Sequence, residues 1–134
     1  MKNTSLAAII LFGSVLLTIS SVGLYVLGLP IITEMLKDST VTPELVKSVN
    51  IIWVLMSIAV FLCGIWGMFI SISIRKNLRY VQKQALSLGS GMLAFGIYGF
   101  TSPLPNWKFG VFILIGLLIL IPGMLLSKSA GPYQ

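Results

Sequence analysis

The side chains able to do chemistry in this chain are few and kept apart. Three carboxylates, Glu34, Asp38 and Glu44, share one short segment. There is no histidine, and the only cysteine is Cys63. That composition removes histidine-based metal sites, histidine-activated nucleophiles and any intrachain disulfide. Neither a glycine-rich phosphate loop nor a Cys-x-x-Cys pair is present. Four cations, Arg75, Lys76, Arg79 and Lys83, form the one charge cluster. Their chemistry is recognition of phosphate or carboxylate. Hydroxyls recur at Ser14, Thr18, Ser21 and Ser57, where they serve either as hydrogen bonds between helices or as the lining of a polar path. We therefore expect no catalytic residue, no metal ligand and no cofactor bound by this chain, with ordered lipids as its small-molecule company.

The elements that carry these residues follow from hydropathy. Of 134 residues, 57% are hydrophobic and only 9% charged, against about one quarter charged in soluble domains. No charge interrupts the runs 3–33, 48–74, 84–107 and 109–127. Each is about as long as a bilayer crossing. The fold class expected is an all-α integral membrane protein, a single domain over 1–134 with four transmembrane helices at about 6–29, 43–79, 84–101 and 109–126. The first is expected to be a permanent span, not a cleaved leader, and to stop at Pro30, because proline lacks the N–H that continues a helix. Thr42-Pro43-Glu44 reads as a start signal: a capping hydroxyl, a proline at the first helical position and an acid facing the dipole. The sequence Ser102-Pro103-Leu104-Pro105 ends the third helix. In the outer loop 30–42, Ile31, Ile32, Met35 and Leu36 are spaced as an amphipathic helix lying on the membrane or on a neighbour.

Cations set the orientation. Lys2, Arg75, Lys76, Arg79, Lys83 and Lys128 fall on one side with no acid, whereas Lys37, Lys47 and Lys108 share the other side with all three acids. The positive-inside rule then puts both termini in the cytoplasm, in an up-down-up-down bundle within the cell membrane. Tyr25, Trp53, Tyr98 and Trp107 gather near the opposite interface, where amphipathic rings prefer to sit. The net charge of +6 follows this pattern and does not point to nucleic acid.

Small residues mark the faces that touch protein, since lipid supplies little hydrophobic drive between helices. Ser14, Thr18, Ser21, Tyr25 and Gly28 form one stripe. Asn50, Ser57, Gly64 and Ser71 repeat every seven residues beside a seam of Trp53, Val60 and Gly67, while Gly116 and Gly123 stand seven apart. Ala85, Gly89, Met92, Gly96 and Gly99 share a face with more small surface than two neighbours need, so part of it is expected to meet another protein. Trp66 is expected to fill a neighbour's groove.

Every acid lies outside the apolar runs, so an ion-coupled carrier has no carboxylate at the bilayer midplane. This excludes a rotor-ring subunit, an antiporter and a proton-coupled small exporter. The leading expectation is a non-catalytic accessory subunit of a larger membrane complex, such as a membrane oxidoreductase or respiratory assembly, with other integral membrane subunits and lipids as partners. One alternative is a homo-oligomeric pore, holin-like or a uniporter, built from copies of the chain around the hydroxyl stripe. Another is a membrane anchor that holds a cytoplasmic partner or lipid headgroups through Arg75, Lys76, Arg79 and Lys83.

Overall fold

A computed structural model describes residues 3–37, 40–76, 80–101 and 107–129, without side-chain detail for 107 and 127–129. All regular structure among these residues is helical. The helices are α1 (Asn3–Gly23), α2 (Leu29–Lys37), α3 (Pro43–Arg75), α4 (Val81–Thr101) and α5 (Gly110–Ser129). A π-helical segment, Leu24–Gly28, fuses α1 to α2, and a 3₁₀ turn, Trp107–Phe109, leads into α5. Four rods result. Two of them, Asn3–Lys37 and Pro43–Arg75, are long and apolar enough to cross a membrane, while the apolar stretch Gly110–Leu126 is shorter.

Pro30 does not end the first helix as its chemistry predicts. A proline ring clashes with the carbonyl one turn back and leaves it without a donor, and the π segment lies across that turn. A π turn widens the backbone, so the helix continues to Lys37. What reads as an outer loop from residue 30 is therefore helix as far as Lys37, with Thr33 holding it to its neighbour. The Thr33 hydroxyl donates to the carbonyl of Leu29 at 2.8 Å and lies 3.2 Å from Asn50 Oδ1 on α3. Other ends shift less. The second helix stops at Arg75, not residue 79, and residues 77–79 lie outside the described set. The third begins at Val81 and the fourth runs to Ser129. Pro43 and Glu44 start α3 as expected, but the Thr42 hydroxyl caps nothing. The carbonyl of Thr42 instead accepts from the backbone N–H groups of Leu45 and Val46 at 3.0 and 3.2 Å.

Contacts between helices fix their directions. Ser71 donates to the carbonyl of Ala7 at 2.7 Å, and the Trp53 indole donates to that of Leu24 at 2.8 Å, so α1 and α3 are antiparallel. Gly89 faces Leu120, Gly96 faces Ile113 and Gly99 faces the Phe109 ring, so α4 and α5 are antiparallel too. Gly13 against Leu118 and Ile119 joins the two hairpins through α1 and α5. The consecutive helices α3 and α4 make the weakest of these contacts. Leu6, Ile10, Leu17, Ile70, Ile115 and Ile119 are sealed between the rods.

The two hairpins differ in length. With Gly13 opposite Ile119, α5 begins at Gly110 beside residue 22 of α1. The roughly fifteen residues from Gly23 to Lys37 then extend about 22 Å past it at 1.5 Å per residue. The start of α3 rises with them, because Trp53 sits beside Leu24. Consistently, α2 packs on α3 and on the π segment, not on α4 or α5. At the opposite end all four rods finish nearly level. We call these the projecting end and the basic end.

Candidate functional site

Small and hydroxyl residues build the α1–α3 seam. Ser14 and Ser71 are fully buried, and Ser21 and Ser57 nearly so. Ser14 donates to the carbonyl of Ile10 at 2.7 Å, Thr18 to Ser14 at 3.0 Å, Ser21 to Thr18 at 2.6 Å and Ser57 to Trp53 at 3.0 Å. Hydroxyls bonded back to their own helix in this way are common where helices pack closely. No buried side-chain polar atom among the described residues lacks a partner. Gly64 and Gly67 make the approach possible. A Cβ at Gly64 would strike the Thr18 hydroxyl, and one at Gly67 would strike that of Ser14.

The second seam is glycine against backbone. Gly89, Gly96 and Gly99 of α4 face α5, and a Cβ at Gly96 would lie 2.5 Å from the Ile113 nitrogen. Conversely, Gly116 of α5 faces Leu93 of α4, where a Cβ would lie 2.6 Å from the backbone nitrogen. The small-residue face of the third helix, expected to meet another protein in part, is occupied by α5 of the same chain. Trp66 is 41% exposed on α3 and does not fill a groove within the chain.

Charge collects at the basic end. Arg75, Lys76 and Lys83 are exposed there, while Arg79 lies outside the described residues. Arg75 closes the C-terminal turn of α3, where the helix dipole favours a cation. Lys83 sits in the first turn of α4, where the same dipole disfavours one. Local helix energetics therefore do not explain Lys83. Among the described residues no three His, Cys, Asp or Glu side chains come together.

A feature that the sequence reading misses lies at the projecting end. Between the π segment and the start of α5 is a cavity of about 570 Å³. Leu24, Leu27 and Gly28 wall one side, with Ile31, Ile32 and Met35 of α2 continuing the wall. Phe109 and Phe112 wall the other, and they pack on Phe95, tilted and edge-to-face, at centroid distances of 5.5 and 5.1 Å. Trp53 also lines it, so close over Gly28 that a Cβ there would lie 2.8 Å from the ring. Lys108, exposed, is also among its lining residues. Gly23, Gly28 and Pro30 were the available sequence signal, since two glycines and a proline within eight positions mark a helix that departs from regular geometry.

On the reverse side of the long hairpin runs an apolar groove. Val22 and Tyr25 of the first rod and Val54, Ile58 and Phe61 of α3 form one part, about 390 Å³. Val46, Asn50, Ile51 and Leu55 continue it towards Pro43 for a further 450 Å³ or so. Set against known protein families, curated proteins and solved structures, the chain matches none of them.

Proposed function

We propose that this chain is a multi-pass protein of the cell membrane that serves as a non-catalytic accessory subunit of a larger membrane complex. Its four rods span the bilayer as an up-down-up-down bundle, with the basic end and both termini in the cytoplasm. Wide apolar exposure supports the membrane reading. Phe12, Ile19, Leu62 and Phe69 are each more than half exposed on the flanks of the bundle, and lipid covers such surface where water does not. The level part of the bundle, about 20 residues per rod, measures about 30 Å, which matches the hydrocarbon core.

One observation carries the accessory role. The long hairpin leaves that slab with large apolar side chains still exposed among its charges, Leu27 66%, Met35 70% and Ile52 64%. Tilting does not hide it. Thirty-five residues of continuous helix are about 52 Å long, which needs a tilt beyond the roughly 40° limit seen for spanning helices. Surface that neither lipid nor water suits is covered by protein. The projecting part of the reverse groove, lined by Val46, Asn50, Ile51 and Val54, is the face for another subunit's helix, in the manner of helix-in-groove recognition. The membrane oxidoreductase and respiratory assemblies are the class of complex in mind, with redox groups held by the other chains. The pore reading draws less support, because the hydroxyls it needs are buried and bonded within one chain.

The test is purification through a C-terminal tag from membranes opened with mild detergent, followed by mass spectrometry of the accompanying proteins. Unlike membrane subunits at fixed ratio are expected. A chain recovered alone, as a defined homo-oligomer that conducts ions in vesicles, overturns the accessory reading.

A further inference from the structure

We infer that the outer face of α3 at the basic end binds an anionic phospholipid of the cytoplasmic leaflet, its phosphate held by Arg75 and Lys76 and an acyl chain laid along Ile72, Phe69 and Ile65. This rests on the membrane reading above but not on the accessory role. Helix spacing sets the face. Arg75 and Lys76 stand three and four residues beyond Ile72, so both share its side of the helix, and Ile65, Phe69 and Ile72 follow one another at steps of four and three. Phe69 is 63% and Ile72 48% exposed, whereas Gly67, Ile70, Ser71 and Ile74 turn to the neighbouring rods and are buried. Both cations are exposed.

The depth of this face matches a lipid. Ser71 bonds to Ala7, and one turn further along each antiparallel helix Arg75 comes level with Asn3, where α1 begins. A Cβ at Gly67 would lie 3.2 Å from the Leu88 side chain, a register that brings Arg75 about level with Tyr80, just outside the first residue of α4. Both neighbours thus put the two cations at the edge of the slab, with Ile72 and Phe69 about 5 and 9 Å inside it. Tyr80, 75% exposed, supplies the amphipathic ring that favours this plane. Charge selects the headgroup. All three carboxylates of the chain lie between residues 34 and 44, and Glu44 stands at the far end of the 33-residue α3, about 46 Å from Arg75 at 1.5 Å per residue. That is several times the screening length of about 8 Å. The C-terminus of α3 and the N-terminus of α1 meet at this level, so their opposite dipoles offset each other. A phosphate supplies the counter-charge that the chain lacks here, and the apolar face below the cations selects a phosphate that carries an acyl chain.

The experiment uses the full chain in phosphatidylcholine vesicles with phosphatidylglycerol in both leaflets, so that the orientation of the protein does not affect the result. One lipid or the other carries a diazirine on its acyl chain, and mass spectrometry of the crosslinked peptides locates the labelled residues. At equal probe concentration, phosphatidylglycerol is expected to label the stretch 65–72 more than phosphatidylcholine does, by roughly fivefold for each contributing cation. Lys76→Gln is expected to lower that preference about fivefold, and Arg75→Gln together with Lys76→Gln to erase it. Arg75→Lys should keep most of it, and Lys108→Gln, at the other end of the bundle, should leave it unchanged. Equal labelling by the two lipids overturns the inference, the result if these cations serve a soluble partner instead. So does a preference that survives the double substitution, or one that Lys108→Gln reduces just as much. A chain that does not float with the vesicles shows that the membrane reading has failed, and the inference with it.

Discussion

Leucine in place of Gly96 is expected to break the α4–α5 hairpin apart. The Cβ alone would lie 2.5 Å from the Ile113 nitrogen and 2.9 Å from the Phe112 carbonyl carbon. Both are backbone atoms of a helix and cannot rotate away, so the helices must separate. Overpacking that side chains can absorb costs about 1–3 kcal/mol, and a backbone collision over a seam this close is expected to cost about 3 kcal/mol or more. Separation also opens the contacts at Gly89 and Gly116, because one rigid pair of helices carries all three. Thermal unfolding in detergent micelles provides the check. Gly96→Leu should melt far below the parent or fail to accumulate, whereas Gly91→Leu on the open face of the same helix should melt with the parent. Equal melting of Gly96→Leu and the parent would mean that α5 does not lie on this face.

The second large effect concerns orientation. Replacing Arg75, Lys76, Arg79 and Lys83 with glutamine leaves two cations, Lys2 and Lys128, on the proposed cytoplasmic side against Lys37, Lys47 and Lys108 on the other. Two against three reverses the bias that sets orientation, and a mixed or inverted population is expected. Folding should be little affected, since the described members of the cluster are exposed and border neither seam. Protease protection of a C-terminal tag in sealed inside-out vesicles measures the outcome. Uniform, unchanged orientation would show that these cations do not direct insertion, and would favour their use as a docking site for a cytoplasmic partner.

How much of this was legible in the sequence depended on whether a local rule or a distant neighbour decided the outcome. The seven-residue spacing of Ser57, Gly64 and Ser71 is a property of one helix, and all three are buried together. The set Ala85, Gly89, Met92, Gly96 and Gly99 is likewise buried on one face of α4. Which partner meets that face is not local, because a groove of glycine accepts any close backbone, and α5 supplied it. The stripe through Ser14, Thr18 and Ser21 fails at Tyr25, which is 50% exposed. A π segment turns the chain out of phase with the 3.6-residue period, so Tyr25 leaves the seam while Gly28 and Thr33 still meet α3. Pro30 predicts a break from its own chemistry, and the widened turn preceding it supplies what that chemistry requires. The cavity was invisible for the same reason, since it depends on where α5 begins relative to that segment, more than 80 positions away in the chain.

Crossing of the membrane by α3 is the claim on which the rest stands, and Thr40 and Tyr80, exposed at its two ends, allow it to be tested directly. In a Cys63→Ala background, Thr40→Cys and Tyr80→Cys would be exposed in turn to a membrane-impermeant maleimide in intact cells and again after permeabilisation. The account predicts that Thr40→Cys reacts at once and Tyr80→Cys only after permeabilisation. Reaction of both in intact cells, or protection of both until the membrane is opened, would contradict it.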